Sequence, residues 1–238
     1  MPNQIRRGVD AVLQFLVRRV AGRVIAVPIR RRLALFEAAT HRPRDVQDAL
    51  LRGILTHQKD TAFGRDHRFD AVRTLQDYRR QVPVAGYDRI EPYIARVLRG
   101  ETDALLADRR VHMFALTSGT TATRKFIPVT DQYLADYKRG WNIWGLKAFQ
   151  DRPEVALRPI VQMSGDWCET RTETGVPCGA VTGLTARMQK RIVKFLYCVP
   201  AEVGRIKDAP AKYYTAARLS LPHKAGLVLA ANPSTLIN

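Results

Sequence analysis

One stretch constrains this chain more than any other. A short apolar run, His112-Met113-Phe114-Ala115-Leu116, breaks off into Thr117-Ser118-Gly119-Thr120-Thr121-Ala122-Thr123-Arg124-Lys125, and an extended run, Phe126-Ile127-Pro128-Val129, follows. Thr130 then stands as the N-cap of a helix reading DQYLADYKRGWNIWGLKAF, with Asp131 in its first turn, where an acid suits the positive end of the helix dipole. The order strand, hydroxyl-rich loop, strand, helix predicts a layered α/β or α+β domain.

The loop itself packs five hydroxyls, one glycine and two cations into nine residues. Phosphate oxygens need many short donors at close range. Gly119 lets the backbone turn and approach a ligand with no Cβ in the way. Ser and Thr supply hydroxyl donors, successive backbone N–H groups can form an anion-binding concavity, and Lys125 adds a point charge. A triphosphate is the natural guest. The G-x-x-x-x-G-K-[ST] spacing of a Walker loop is absent, and the loop runs into a strand instead of opening a helix. A Ser- and Thr-rich polar hairpin turn accounts for the same composition, and both readings stand at this point.

Upstream, the periodicity is helical. Val9, Val12, Leu13, Leu16, Val17, Val20, Val24 and Val27 recur at three- and four-residue steps, which predicts a basic amphipathic helix ending near Pro28. Residues 1–44 hold ten Arg against Asp10 and Glu37, a net +8 out of the chain's +17, and are set apart as the first segment; residues 45–238 form the second. Asp45 to Lys59 is helical in period, with Val46, Leu50, Leu51, Ile54 and Leu55 on one face. Leu75 to Arg80 is a short helix started by Thr74, with Asp77 three residues on. Val82-Pro83-Val84 is extended. Asp88 is expected to cap a helix carrying Ile90, Tyr93, Ile94 and Val97, stopped by Gly100. Beyond the loop, Arg158 to Met163 reads as a strand, Gly165 to Gly183 as a turn-rich loop and Lys212 to Leu221 as a helix. Gly226 to Ala231 reads as a buried strand, while Gln189 to Val199 is ambiguous between helix and strand.

The 238 residues are 46% apolar, enough for a sizeable core, which excludes a disordered chain. Thirty Arg and nine Lys outweigh 22 acids. That excess raises a second function class: a non-catalytic basic module meeting nucleic acid or an anionic membrane surface through residues 1–44. Aromatics are not interleaved with the basic clusters and no nucleic-acid motif is present. Val9 to Ile29, interrupted by Arg18, Arg19, Arg23 and Pro28, falls short of the roughly 20 apolar residues of a membrane-spanning helix. Cys168, Cys178 and Cys198 show neither a disulfide framework nor a zinc spacing, which fits a reducing cytoplasm. The five His form no i, i+4 metal pair; His112 reads as a strand residue beside the loop. Asp166, Glu169 and Glu173 read as a solvated polar loop, Trp141 and Trp144 as core or groove anchors, and no G-x-S-x-G elbow appears. No metal-ligating or catalytic residue is assigned.

Thr117 to Lys125 resembles the first signature, [ST]-S-G-T-[ST]-G-x-x-K, of the adenylate-forming enzymes related to firefly luciferase. With its flanks LQDYRRQVPVAGYDRIEPYIARVLRGE, FALTSGTT…KFIPVT and NPSTLI, the chain from about Asp45 to Asn238 resembles the auxin-responsive Gretchen Hagen family of acyl-acid-amido synthetases, in its bacterial branch. The resemblance implies an α/β fold: the N-terminal part of an adenylate-forming, luciferase-like large domain, with a helical N-terminal segment followed by a mixed sheet and flanking helices. It implies an ATP- and Mg²⁺-dependent ligase that adenylates a small carboxylic acid and passes the acyl group to an amine or amino acid. Ser118, Gly119, Thr120 and Thr121 would hold the β- and γ-phosphates, with Lys125 closing the motif. Ala122 stands where the family has Gly. Family members run to well over twice this length, with adenine-, ribose- and metal-binding motifs and a C-terminal lid that would lie after Asn238. The expectation is therefore a truncated N-terminal piece, inactive alone, or an inactive remnant.

Overall fold

A computed structural model describes residues 22–117, 124–155, 158–189, 194 and 196–231. In chain order the helical elements before the sheet are α1 (Gly22–Thr40), α2 (Pro43–Gln58), α3 (Ala62–Asp66), a 3₁₀ turn at Phe69–Ala71, α4 (Leu75–Gln81), α5 (Tyr87–Leu98) and a second 3₁₀ turn at Thr102–Ala104. Then come β1 (Val111–Thr117), β2 (Lys125–Thr130), α6 (Asp131–Asp151), β3 (Ile160–Met163), β4 (Thr170–Arg171), β5 (Pro177–Gly179) and α7 (Val181–Arg187). A 3₁₀ turn at Ala201–Arg205, α8 (Ala209–Ser220) and β6 (Leu227–Ala230) follow. Two compact units divide these elements: Leu35–Tyr137 with Cys168–Gly179, and Met1–Ala34 with Lys138–Trp167 and Ala180–Asn238.

The first of these units carries a four-stranded mixed sheet in the order β2-β1-β5-β4. Central β1 pairs antiparallel with β2 and parallel with β5, and β4 closes the far edge antiparallel to β5. Met113, Phe114, Val129 and Cys178 are its most deeply buried side chains. Phe114 and Cys178 pack with Val97 of α5 and Ala104, and Leu116 and Phe126 lie against that cluster. A second cluster joins Leu55 of α2 to Phe69 and Val72, with Leu51, Phe63 and Tyr78 around it. The predicted apolar face of α2 is therefore split: Leu51 and Leu55 face inward, while Val46, Leu50 and Ile54 remain 43, 62 and 50% exposed.

Local chemistry explains the helix ends. α2 opens on Pro43, whose fixed φ and missing N–H suit the first helical position. At α4, Thr74 and Asp77 form a reciprocal capping box, as the spacing predicts. At α5 the expectation fails by two residues: Gly86 is the N-cap and Asp88 lies inside the first turn. The Asp88 carboxylate occupies the space beside Gly86 that a Cβ would need, so the acid still faces the positive helix end. Gly100, at φ +98°, stops the chain after α5 as expected.

The other unit pairs β3 with β6 in parallel, extended by a bridge from Ile160 to Tyr197. Val199, Val203 and Ala216 form its core cluster with Val161, Met163 and Ile206. Three readings need correction. The helix expected to end near Pro28 continues through it in α1; the strong helix formers Arg30 to Leu35 outweigh the one lost N–H and the crowding by the ring. The segment Gly165 to Gly183 is not all loop but contains β4, β5 and the start of α7. The strand at Gly226 to Ala231 forms but is not buried, since Val228 is 50% exposed. Residues 1–21, residues 190–193 and 195 within the ambiguous segment, and NPSTLI lie outside the described residues.

Candidate functional site

Ser118, Gly119, Thr120, Thr121 and Ala122 lie outside the described residues; Thr117, Arg124 and Lys125 lie within them. What the structure defines is the frame from which the loop springs. β1 and β2 run in register from Met113 against Val129 to Thr117 against Lys125, so the two ends of the segment are paired across the ladder. The frame is anchored from below by Phe114 and Phe126, whose rings meet edge-to-face at 6.4 Å. Thr130 Oγ1 accepts from the Tyr133 amide at 3.2 Å and turns the chain out of β2 directly into α6.

β2 is an edge strand, and its outer edge is occupied. The Tyr87 hydroxyl accepts from the Phe126 amide at 3.0 Å and donates to the Phe126 carbonyl at 3.3 Å. Both backbone groups of Phe126 thus go to a side chain from the first turn of α5. The ammonium of Lys125 lies 5.6 Å from the centroid of the same tyrosine ring. Arg124 Nη1 reaches Glu169 Oε2 at 3.4 Å, an exposed pair of the kind that contributes about 1 kcal/mol at most. Glu169 leads into β4, so the far edge of the sheet supplies the counter-charge for the loop's other cation.

Of the other candidates, Glu169 joins this frame through Arg124, whereas His112 does not. His112 Nε2 lies 2.6 Å from Asp131 Oδ1 at the opposite end of β1, five residues or roughly 16 Å from Thr117. It ties the start of β1 to the start of α6, as the strand residue that the sequence predicts. Asp166, Glu169 and Glu173 do not converge, and among the described residues no group of three or more His, Cys, Asp or Glu side chains is placed to hold a metal ion. Cys178 is buried against β1 and burial pushes its thiol pKa up, as it does for Cys198, which favours the neutral thiol over the nucleophilic thiolate. Trp141 and Trp144 contact each other edge-to-face at 5.1 Å and stay 42 and 46% exposed, so they are not core residues. A cleft of about 500 Å³ lined by Arg52, Leu55, Lys59, Phe69 and Arg73 lies among the helices, away from the hairpin. Tyr87 is the residue that sequence reasoning passed over; it sits inside the VPVAGYDRI segment, but nothing local marks a bond to a residue 39 positions away.

Comparison with known proteins places these observations. The GH3 family N-terminal domain matches residues 32–238. Indole-3-acetic acid-amido synthetase GH3.15 of Arabidopsis thaliana is 33% identical over 103 residues, covering 43% of this chain and 17% of that protein. The 4-substituted benzoates-glutamate ligase GH3.12 of the same plant is 30% identical over 96 residues, or 40% of this chain and 16% of that one. Among solved structures, the GH3.15 acyl acid amido synthetase superposes with a TM-score of 0.67 at 22% identity, covering 79% of this chain and 33% of that chain. A complex of GH3.15 with 2,4-DB superposes at 0.60 and 21% identity. The likeness at this identity establishes the fold: an α/β arrangement of helices around a mixed sheet. The chain matches less than a quarter of the length of these curated relatives and a third of the solved chain.

Proposed function

We propose, from the premise that this chain belongs to the GH3 family, that it contributes the triphosphate-binding loop of an ATP-dependent acyl-acid-amido synthetase. The reaction is a carboxylic acid plus ATP giving acyl-adenylate and pyrophosphate, then an amine or amino acid attacking the acyl carbon to give an amide and AMP. The observation that carries the reading is the hairpin frame: Thr117 and Lys125 stand paired at the mouth of the hydroxyl-rich segment, with Lys125 as its terminal cation. Ser118, Gly119, Thr120 and Thr121 supply hydroxyl and amide donors to the β- and γ-phosphates, and Lys125 offsets their charge. Attack of a carboxylate on the α-phosphorus is limited by repulsion between anions and by alignment with the leaving pyrophosphate; a donor-rich loop on a packed sheet reduces both barriers. Mg²⁺ accompanies ATP in this proposal, bound chiefly by the phosphates themselves, and no step is assigned to it.

Ala122 stands where the family has Gly, and alanine takes a positive φ far less readily than glycine. The acid and the acceptor follow the relatives in class only: an acyl acid and an amino acid. Placement in a bacterial branch, and in a reducing cytoplasm where Cys168, Cys178 and Cys198 stay outside disulfides as here, belongs to the same proposal. The test is acid-dependent exchange of labelled pyrophosphate into ATP across a panel of aryl carboxylic acids. Exchange that falls at least about tenfold in Lys125→Ala supports the reading, and exchange unaffected by that change contradicts it.

A second reading has its own observation. α1 presents Arg30, Arg31 and Arg32 exposed, together with Val27, Leu35 and Phe36 at 55% exposure or more. Basic and apolar groups on one exposed helix fit peripheral contact with an anionic membrane surface. Binding to anionic vesicles that weakens steeply with salt, and that is lost when Arg30, Arg31 and Arg32 become Gln, would establish it.

A further inference from the structure

We propose that Tyr87 is a positioning residue for the phosphate loop, acting through Phe126 and Lys125; the proposal rests on the phosphate-binding reading above. The argument begins with the edge of the sheet. β2 has β1 on one side only, so the backbone groups of Phe126 that point away from β1 have no strand to meet. Water or a side chain must satisfy them. Here a single phenol satisfies both, taking the amide hydrogen and giving its own to the carbonyl. A hydroxyl that bonds N–H and C=O of one residue fixes that peptide against rotation, and it does so one residue beyond the end of the loop. The same side chain places its ring face near the Lys125 ammonium, which limits the directions that cation explores.

The arrangement couples two segments that are remote in sequence. Tyr87 is the first residue of α5, whose buried Val97 packs in one cluster with Phe114 of β1 and Cys178 of β5. The phenol is therefore held by the same core that holds β1. Strand β1 fixes one end of the loop and α5, through Tyr87, fixes the other. Removing the hydroxyl leaves the ring beside Lys125 but frees the Phe126 peptide; removing the ring frees both. Loss of pre-organisation at the loop end lowers phosphate affinity without removing any donor from the loop.

The test uses the full chain, inorganic tripolyphosphate as the probe by titration calorimetry, and amide hydrogen exchange read at Phe126. Tyr87→Phe is expected to speed exchange at the Phe126 amide and to weaken tripolyphosphate binding by about tenfold, the equivalent of one or two lost net hydrogen bonds. Tyr87→Leu is expected to weaken binding further, while protection at Met113 and Phe114 stays at the wild-type level in both variants. Unchanged exchange at Phe126 in Tyr87→Phe overturns the clamp. Faster exchange there with unaltered affinity overturns the positioning role. Protection lost throughout the sheet overturns it too, because Tyr87 would then be structural only. If the wild-type chain binds no tripolyphosphate, the phosphate reading itself fails and the positioning role falls with it, whereas the exchange data still report whether the clamp exists.

Discussion

The two sheets of this molecule are held in opposite ways. Around β1, packing is made by side chains: Met113, Phe114, Val129 and Cys178 are at most 1% exposed, and Phe114 and Cys178 pack with Val97 of α5. Around the end of β3, packing is made by their absence. A Cβ at Gly183 would run into the Gly165 carbonyl and the Trp167 amide, and one at Gly204 would sit within 3 Å of the Ser164 and Gly165 carbonyls. Gly165 itself lies against Ala180, and its amide donates to Thr182 Oγ1 at 3.1 Å. The chain that leaves β3 is thus wedged between α7 and the Ala201–Arg205 turn by backbone-to-backbone contact. The contrast teaches where each region tolerates change: the first in shape-conserving swaps of its large residues, the second in none of its three glycines.

Truncating the side-chain core should have the largest effect. Phe114→Ala is expected to cost about 4 kcal/mol, read as a shift in the denaturant midpoint at constant slope. Next comes Gly183→Ala, expected at about 3 kcal/mol because the two nearest atoms in the way of the new methyl are backbone. Gly53→Ala sharpens the point with the opposite sign. Nothing lies within 4 Å of that site on α2, so helix propensity alone should raise stability by about 0.8 kcal/mol. If Gly183→Ala were as mild as Gly53→Ala, the glycine-packed account of the second region would be wrong.

The smallest effect is electrostatic. The Thr74 hydroxyl first, then the Arg73 and Thr74 amides, hold the Asp77 carboxyl below its ordinary pKa. A depressed carboxylate contributes stability above its unfolded pKa and loses it as pH falls through the lower folded value. The difference in thermal midpoint between wild type and Thr74→Ala should therefore be constant near neutrality and shrink below about pH 4. A difference that grew on acidification would contradict the capping-box assignment.

What the sequence made legible was local. Thr74 with Asp77, Thr130 at the head of α6 and Gly100 at the end of α5 each act within four residues, and each is where its chemistry predicts. The strand–loop–strand frame was legible for the same reason: an abrupt change from apolar to hydroxyl-rich residues marks both ends of a hairpin. What escaped was set by distant partners. β4 is two exposed residues and β5 is Pro-Cys-Gly, both too short to show a period; β5 is a strand because β1 lies alongside, about sixty residues earlier in the chain, and β4 is one because β5 does. Tyr87 looked like one more helix residue until its hydroxyl was seen on Phe126. Val228 sits in an apolar run that predicts burial, yet half of it is exposed, since periodicity reports a strand's composition and not what covers its faces. Asp88 misled by two positions because Asp and Gly both serve as N-caps and the pair is separated by a single residue.

The central claim is that the segment between β1 and β2 grips the tail of a nucleotide. Phosphorus NMR of ATP titrated with the full chain measures that most directly, because each phosphate reports separately. The account predicts that the β and γ resonances broaden and shift more than the α resonance, and that Lys125→Ala reverses this. Equal perturbation of all three phosphates, surviving in Lys125→Ala, would show attraction to a basic surface and would contradict the claim.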